Sequence, residues 1–420
     1  MGKSKKIKLL YYGDFDGNTG YSMVSKNLIS HWSKFLKNKI EITVFATNNF
    51  KKTDYSYAEN VYVIPALKTR SQNDNDPYCR NSFLKLLYNG NYTHLFCNND
   101  IEVLNDLYSH LKNIKEDKRK ENRPKFKSII YFPIDAKMTK DKYEVLKFFE
   151  KPVTYTEFGK EILKETLYPN VFKKVSVIPH GTNTNDFFPI ESKEILKELR
   201  TKYFGENKNK FIFGTVNRNS ARKDISSLII AFSEFIKKHP ETYLYIHSNP
   251  LDECGVNFYK LIDTLNLKEN IHIQFADNNI TESKDKQEAT GCISYSLNML
   301  NELYNCFDCY ITTTTAEGWG LTLTEAMATK TKAICPIHTS FTEITNDGEL
   351  VIPLRRLHQS CFVDDNYKLR YKSDKGEIIE AMKIALSSDK KNLATLSYDK
   401  VVKYNWNKIS QQFLTLLKGL

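Results

Sequence analysis

The sequence predicts an α/β protein with two consecutive units, each built around a parallel sheet covered by helices. Short apolar segments typical of strands alternate with amphipathic segments typical of helices, an alternation that parallel sheets produce. Two series of similar size meet near "VSVIPHGTNTNDFFPIESKE", a stretch rich in turn-forming residues. A chain of 420 residues also exceeds what one hydrophobic core ordinarily organises.

The first series opens with "KIKLLYYGDFDG", in which a strand ends at Gly13. A loop with further glycines at Gly17 and Gly20 follows, and then a helix with apolar residues at helical spacing around Leu28. Five later segments also have the composition of strands: "IEITVFATN", "VYVIPA", "YTHLFCNND", "KSIIYFPID" and "KPVTYTEFG".

The second series begins near Phe211 with the strand "KFIFGTVN" and the amphipathic helix "DISSLIIAFSEFIKKHP". Strands are then predicted at "TYLYIHSN", "NIHIQFA", "FDCYITTT" and "KAICP", and helices at "FYKLIDTLNL", "SLNMLNELYNC" and "TEAMATK". The segment "LRRLHQSCFVDDNYKLRYKSDKGE" breaks the alternation, and we expect an irregular insertion or a lid there.

Composition narrows the classes of function. No apolar run approaches the ~18–20 residues that span a bilayer, and the amino terminus does not resemble a signal peptide, so a cytoplasmic protein is expected, with peripheral membrane contact left open. The formal charge of +11 favours an anionic ligand such as a nucleotide, a phosphate, an acidic surface or DNA. Cys306 and Cys309 form a lone CxxC without a second pair nearby, so no metal site is predicted.

Two glutamates, Glu317 and Glu325, flank the turn in "TTAEGWGLTLTEAMA" between a predicted strand and a predicted helix. Ligands of α/β sheets bind at the carboxyl ends of the strands, and a helix N-terminus offers free N–H donors and partial positive charge. Carboxylates there can accept hydrogen bonds from sugar or ribose hydroxyls. The alternative is a helix cap, with Thr322 or Thr324 as the N-cap residue and Glu325 complementing the helix dipole.

A basic loop, "VNRNSARKD", follows the first strand of the second series. Its Arg218 and Lys223 suit a diphosphate, with Arg222 as a competing candidate. The glycine spacing near the amino terminus differs from the dinucleotide fingerprint, and the second strand ends without an acid, so NAD binding is not predicted.

These motifs together resemble the retaining glycosyltransferases of family 4. "EGWGLTLTEAMA" is similar to the family's E-x7-E signature, with Glu317 and Glu325 as its two acids. "VIPHGTNTNDFFP" resembles the family's interdomain stretch, with His180 in the usual Asn place. "VNRNSARKDISSLIIAF" resembles its basic loop, with Asn217 and Asp224 replacing two glycines, and "YNWNKISQQFLTLL" resembles its closing helix.

The resemblance implies a GT-B fold, in which two Rossmann-like domains face each other across a cleft and the C-terminal helix crosses back to the N-terminal domain. The implied boundaries are 1–182 plus a helix at about 403–420 for the acceptor-side domain, and 183–402 for the domain that binds the nucleotide sugar.

It also implies roles for single residues. Arg218 and Lys223 would hold the diphosphate, Glu325 the ribose hydroxyls and Glu317 the donor sugar. Backbone N–H groups of the turn and helix start would serve sugar and phosphate, namely those of Gly318, Trp319, Gly320, Leu321 and Thr322. Gly17 and Gly20 would approach the phosphate from the first domain.

Acceptor groups would come from the first domain. Asp135 follows a predicted strand in "YFPIDAK", where the family presents acceptor-site residues, and it is the candidate catalytic residue on that side. "YTHLFCNND" offers further candidates: His94, Asn98, Asn99 and Asp100. His180 is expected to be a hinge or interdomain residue, not a base.

The function expected from the resemblance is transfer of a hexose from a UDP- or GDP-linked sugar, UDP-hexose first, to a glycan or glycoside with retention of configuration. No further cofactor is expected. Two alternatives stay open. One is transfer onto modified DNA bases, which the net charge of +11 permits. The other is a non-catalytic scaffold that binds a nucleotide sugar or a glycan.

Overall fold

Each predicted series of strands and helices folds into its own unit in the computed structural model. Contacts divide the chain into a first unit, Met1–Gly181 with Trp406–Leu420, and a second unit, Thr182–Asn405. The structure describes residues 6–17, 19–51, 53–67, 76, 78–116, 126–276, 295–355, 359–364, 367–387 and 391–419.

The first unit contains a sheet that is parallel except for one edge strand. Its strand order is β3-β4-β2-β1-β5-β6-β7-β8, where only β3 runs antiparallel among the described strands. The strands are β1 Ile7–Asp14, β2 Ile40–Phe50, β3 Tyr55–Ala58, β4 Val61–Leu67, β5 His94–Asn98, β6 Lys127–Phe132, β7 Lys151–Thr154 and β8 Ser176–Val177. The helices are α1 Gly20–Phe35, α2 Arg80–Asn89, α3 Ile101–Asn105, α4 Tyr108–Glu116, a 3₁₀ segment Lys140–Lys147, α5 Glu157–Thr166 and α6 Pro169–Phe172.

The second unit contains a parallel sheet of order β11-β10-β9-β12-β13-β14 and a separate two-stranded ribbon. The strands are β9 Phe211–Val216, β10 Thr242–His247, β11 Ile273–Phe275, β12 Cys309–Ile311, β13 Ala333–Pro336, β14 Ile352–Leu354, β15 Gln359–Val363 and β16 Leu369–Ser373. The helices are α7 Lys193–Phe204, α8 Ile225–Phe235, α9 Phe258–Thr264, α10 Leu297–Cys306, α11 Leu321–Ala328, α12 Ser340–Ile344, α13 Lys375–Ser387 and α14 Lys391–Val401, with 3₁₀ segments Gly205–Asn209 and Ala221–Lys223.

The last helix, α15 (Trp406–Gly419), packs on the first unit, as predicted. The indole N–H of the fully buried Trp32 donates to the carbonyl of Ser410 at 3.2 Å. Phe413 packs edge-on against Trp32 and Phe96, with ring centroids 6.0 and 5.5 Å away. Apolar positions on one face of α15 therefore complete the aromatic core under α1.

Two predicted segments take a different form. "KPVTYTEFG" is a strand only over its first four residues, because the Thr156 hydroxyl accepts the Gly159 N–H at 3.1 Å and caps α5. The segment expected to be irregular contains an antiparallel ribbon, in which Cys361 pairs with Tyr371. Both strands have side chains exposed on each face, so the apolar alternation that identifies a half-buried strand is missing.

The CxxC cysteines, Cys306 and Cys309, are buried free thiols, and burial raises the pKa of each to about 12. Across the described ranges, no group of three or more His, Cys, Asp or Glu side chains is arranged to hold a metal ion. No helix in that same part of the chain is long and apolar enough to cross a bilayer.

Helix α11 ends in a Schellman motif. The Thr331 N–H donates to the Ala326 carbonyl at 3.0 Å, and the Lys330 N–H donates to the Met327 carbonyl at 3.1 Å. Lys330 sits at the position that glycine usually occupies, and its φ of 56° is left-handed. Its ammonium lies 3.5 Å from the exposed Glu191 carboxylate, a surface contact worth little.

Replacing Lys330 with glycine is therefore expected to stabilise the second unit by about 1 kcal/mol, because the left-handed backbone strain disappears. Urea unfolding of the wild type and Lys330→Gly measures the difference. Lys330→Ala is the matched control, since it removes the same surface contact but keeps a Cβ. Equal stability of the Gly and Ala variants would contradict the strain at this position.

Candidate active site

Two strand-to-helix loops meet at the carboxyl ends of β9 and β12, which are neighbours in the second sheet. A run of four buried threonines, Thr312–Thr315, follows β12 and holds the basic loop that follows β9. The Thr315 N–H donates to the Arg222 carbonyl at 2.8 Å, and the Thr313 hydroxyl donates to the Asp224 carbonyl at 2.9 Å. Sequence reasoning gave these threonines no role.

Glu317 lies at the point where the two loops touch, and two cations hold its carboxylate. The Lys223 ammonium pairs with Oε1, and Nη1 of Arg222 lies 3.2 Å from Oε2. The Arg222 guanidinium also donates to the carbonyl of Ala316. Glu317, Lys223 and Arg222 are here called the ion triad. The Glu317 side chain is 9% exposed and that of Lys223 14%, so this pair is largely withdrawn from water, whereas the Arg222 side chain is 36% exposed.

The ion triad fixes the protonation state of Glu317. Burial alone raises the pKa of a carboxyl group, but the charges and hydrogen bonds of Arg222 and Lys223 outweigh it and lower the pKa of Glu317 to about 2. Glu317 is therefore ionised at every physiological pH. It can accept hydrogen bonds from hydroxyl groups, and it has no proton to donate.

Glu325, the second acid of the motif, has a different environment. It lies in α11, is partly buried, and accepts a hydrogen bond from the Tyr304 hydroxyl at 2.8 Å. Burial raises its pKa to about 7, and the Tyr304 hydrogen bond and the Lys223 charge oppose that rise without cancelling it. Two glutamates eight residues apart thus have opposite pKa shifts, because only one is paired with cations.

The turn between the two acids leads directly into α11, whose N-cap is Gly320. Gly320 supplies no side-chain cap, and neither threonine of the helix does so: the Thr322 hydroxyl contacts the Tyr310 hydroxyl at 2.9 Å, and the Thr324 hydroxyl donates to the Leu321 carbonyl. The capping interpretation by either threonine is therefore wrong.

Gly320 itself has a φ of 99°, and a Cβ there would lie 2.2 Å from the Phe341 ring, so only glycine fits. Trp319 is buried, with its ring centroid 5.1 Å from that of Tyr404. Its side chain therefore packs inside the protein and supports the turn. What the turn can present to a ligand is its backbone.

Arg218 is placed apart from the ion triad. Its Nε donates to Asp252 at 2.8 Å and its Nη2 to the other Asp252 oxygen at 3.3 Å, while Nη2 also lies 3.2 Å from the Cys254 sulfur. The structure thus pairs Lys223 with Glu317, and the arginine that also contacts Glu317 is Arg222. The sequence signal for Arg222 is its position next to Lys223 on the same loop.

Asp224, one of the residues that replace family glycines, has a left-handed φ of 46°. Short polar side chains tolerate this conformation better than most. Its buried carboxylate lies 3.4 Å from the Lys372 ammonium on β16, and the Tyr371 N–H donates to the Thr315 carbonyl at 3.3 Å. The ribbon is therefore attached to both loops of the site.

In the first unit, the glycine loop after β1 is organised around the buried Asp14. The Thr19 hydroxyl donates to this carboxylate and also caps α1. A Cβ at Gly17 would come within 3.2 Å of both Asp14 oxygens, and Gly20 is the first residue of α1. A loop this close to a carboxylate allows little room for a side chain at Gly17.

Acidic residues also follow the neighbouring strands β5 and β6. Asp100 accepts a hydrogen bond from the Tyr21 hydroxyl at 2.6 Å, and Asp135 lies partly exposed beyond β6. Burial raises the pKa of Tyr21, and the negative charges of Asp100 and Asp135 raise it further, so both carboxylates lie near its hydroxyl. Asn98 and Asn99 lie at this same end of β5 and are buried.

Two histidines considered during the sequence analysis lie elsewhere. His94 begins β5, at the opposite edge of the sheet, and its Nε2 lies 3.1 Å from the carbonyl of Leu417. His180 is buried in the first unit, where its Nδ1 lies 2.7 Å from the Tyr131 hydroxyl and its ring packs on Tyr155. Burial lowers the pKa of His180 to about 3.

The low pKa of Glu317 predicts a specific loss of stability in acid. Its folded-state pKa of about 2 lies below the unfolded value, so its contribution is complete above about pH 5 and disappears as the pH falls toward 2. Relative to Glu317→Gln, the wild type should lose about 3 kcal/mol over that range.

Urea unfolding at several pH values between 6 and 3 measures the first part of this loss, about 2 kcal/mol, as the difference between the two proteins. Glu325→Gln is the control of opposite sign: its raised pKa places the change between about pH 4 and 7. A difference between wild type and Glu317→Gln that stays constant with pH would contradict the ion triad.

Comparison with known proteins finds a family model that is similar to part of the second unit. Residues 197–359 match the sequence profile of the glycosyl transferases group 1. The matched stretch runs from α7 to the first residue of β15, so it contains both loops of the ion triad.

The relatives are distant in sequence but similar in structure. A probable sucrose-phosphate synthase of Thermosipho melanesiensis is 22% identical over 261 residues, covering 60% of this chain and 49% of the relative, so the match spans about half the relative's length. Anabaena HepE, solved in complex with UDP and glucose, is 13% identical with a TM-score of 0.67 and covers 99% of this chain and 100% of its own. Sucrose-phosphate synthase from Thermosynechococcus elongatus is 14% identical with a TM-score of 0.70, covering 99% of both chains.

At these identities the structural matches show the fold, which is GT-B. The family match in the second unit and the fold of the whole chain agree with the resemblance of its motifs. The chain thus has the GT-B fold, and over residues 197–359 it is similar to the glycosyl transferases group 1.

Proposed function

We propose that the protein transfers a hexose from a UDP- or GDP-linked sugar, with UDP-hexose as the first candidate, to a hydroxyl group of a glycan or glycoside, with retention of configuration. The observation that carries this proposal is the ion triad beside the α11 N-terminus, whose N-cap residue is Gly320. Solved complexes of Anabaena HepE with UDP and glucose and with UDP-glucose support the choice of donor.

The chemistry needs positive charge where the leaving group departs. When the bond to the anomeric carbon breaks, negative charge grows on the nucleoside diphosphate. Lys223, Arg222 and the partial positive charge of the α11 N-terminus supply fixed stabilisation for that charge. Arg218 adds a further cation on the same loop, oriented by Asp252.

Glu317 acts as a hydrogen-bond acceptor in this proposal. A carboxylate with a pKa of about 2, held by two cations, is a weak base and a weak nucleophile. The Glu317 carboxylate can orient the donor sugar by accepting hydrogen bonds from the sugar hydroxyls. It also balances the charge of Lys223 and Arg222 before the diphosphate binds. The acceptor is then deprotonated by the leaving phosphate on the same face of the sugar, so no separate protein nucleophile is needed.

Glu325 is proposed to bind the ribose hydroxyls. Its pKa of about 7 means that the unliganded protein holds it partly protonated at neutral pH, whereas ribose hydroxyls are bound best by the ionised form. Nucleotide binding should therefore lower the pKa of Glu325 and release a proton.

The first unit favours an uncharged acceptor. Asp100 and Asp135 follow the neighbouring strands β5 and β6, at the strand ends where ligands of parallel sheets bind. Negative charge at this edge repels phosphate groups. The names of two relatives contain sugar phosphates, but we propose an unphosphorylated glycan or glycoside for this chain.

Modified DNA is the second candidate acceptor, because the chain carries a net charge of +11. The carboxylates of Asp100 and Asp135 at the strand ends oppose a polyanion there, so the neutral acceptor has the stronger support. A non-catalytic scaffold would not need a buried carboxylate held between two cations, which is costly to maintain.

A nucleoside diphosphate is expected to raise the melting temperature. Bound ligand stabilises the fold by ~2.7 kcal/mol at a hundredfold excess over its dissociation constant. A thermal-shift screen of UDP, GDP, ADP, TDP and CDP identifies the base. Glu325→Ala and Arg218→Ala should each abolish most of the shift, whereas the control Lys268→Ala, an exposed residue, should keep it. No shift with any nucleotide would contradict the proposed nucleotide site.

Acceptor choice should follow the acidic edge of the first unit. With the identified donor, neutral glycosides should be glycosylated, whereas sugar phosphates and hydroxymethylated DNA should not. Asp135→Asn should raise the KM for the acceptor about tenfold without changing the KM for the donor; Asp106→Asn, an exposed residue paired with Arg80, is the control. Faster transfer to a phosphorylated acceptor or to DNA would contradict the neutral-acceptor proposal.

A further inference from the structure

A short segment after β13, Thr339–Phe341, holds the turn that carries Glu317. The Thr339 hydroxyl accepts the Glu317 N–H at 3.1 Å, and the Ser340 N–H donates to the Glu317 carbonyl at 3.4 Å. The Ser340 hydroxyl donates to the Trp319 carbonyl at 2.8 Å, and the Phe341 ring lies against Gly320. This segment, here called the brace, therefore contacts the turn at four successive points.

The brace and the ion triad act on the same peptide group. In the peptide between Ala316 and Glu317, the N–H donates to the Thr339 hydroxyl and the carbonyl accepts from the Arg222 guanidinium. The following peptide is held through its carbonyl by Ser340. Because both peptides that flank the Glu317 Cα are held, the direction of its Cα–Cβ bond is held as well, and the ion pairs with Lys223 and Arg222 then position the carboxylate.

Thr339 adopts a backbone conformation that its side chain opposes. Its φ is 51° and its ψ is −135°, a region that glycine occupies easily and that is an outlier for a β-branched residue. Thr339 is 4% exposed, so water does not relieve the strain. A glycine would avoid the strain but would lack the Thr339 hydroxyl. That hydroxyl also lies 3.3 Å from Nδ1 of His338.

We propose that Thr339 is a positioning residue for Glu317, retained in a strained conformation because its hydroxyl holds the Ala316–Glu317 peptide. This inference rests on the proposed function, since the purpose of the positioning is to place the Glu317 carboxylate against the donor sugar. Thr339 itself touches neither substrate nor reacting atoms in this scheme.

The test separates strain from the hydroxyl. Thr339→Gly removes both, whereas Thr339→Ser keeps the hydroxyl and lacks the β-branch. Lys330→Gly is the matched control, because it also relieves a left-handed residue and has no contact with Glu317 in the structure. Steady-state turnover with the identified nucleotide sugar, the melting temperature, and deuterium uptake of the peptide Thr312–Gly320 are measured for all four proteins.

Thr339→Gly should lower kcat about tenfold or more, with a smaller change in the KM for the donor, because misplacing a positioned group is costly. Its melting temperature should not fall, and its peptide Thr312–Gly320 should take up deuterium faster than that of the wild type. Thr339→Ser should restore kcat to within about twofold of wild type and slow the exchange again. Lys330→Gly should change neither kcat nor the deuterium uptake of the peptide Thr312–Gly320.

Two results would overturn the inference: Thr339→Gly with wild-type turnover and exchange, or Thr339→Ser as impaired as Thr339→Gly. The proposed function fails separately, if the wild type turns over no nucleotide sugar. Deuterium uptake still decides the role of Thr339 in that case: faster uptake in Thr339→Gly alone supports it, and equal uptake in all four proteins refutes it.

Discussion

A carboxylate withdrawn from water must be paired, and the second unit is organised around that requirement. Glu317 follows β12 and lies between Lys223 and Arg222, which both come from the basic loop after β9. The threonines after β12 fix the carbonyl groups of the basic loop, and the brace fixes the peptides around Glu317. Because removing one member of a buried ion cluster leaves an uncompensated charge, these contacts depend on one another.

This arrangement also explains how one short motif can serve two purposes. Pairing lowers the pKa of Glu317, and burial without a paired cation raises that of Glu325, so the two acids are in different protonation states near neutral pH. In the proposed reaction, the cations that stabilise Glu317 in the unliganded protein would also stabilise the departing diphosphate. In that proposal, the cationic side chains are already in position before the donor binds, and electrostatic catalysis relies on such preorganisation.

Much of this was predictable from the sequence, and the exceptions have physical causes. Alternating strand and helix patterns predicted the parallel sheets, and the spacing of Glu317 and Glu325 predicted an acid pair at a strand-to-helix turn. The choice between Arg218 and Arg222 was not predictable, because both lie on one loop and the direction of Arg218 is set by Asp252, on another loop. The brace was missed because left-handed threonine has no sequence signature, and the ribbon because its strands lack a buried face.

The ion pair of Lys223 and Glu317 can be tested most directly by a double-mutant cycle on the free energy of unfolding of the second unit, using Lys223→Met, Glu317→Gln and the double variant. Each single change leaves a charged partner behind, so the double variant should be more stable than the sum of the single effects predicts, by about 1–3 kcal/mol. If the two effects add to within about 0.5 kcal/mol, the pair does not hold the loops together, and the central role given to it here is contradicted.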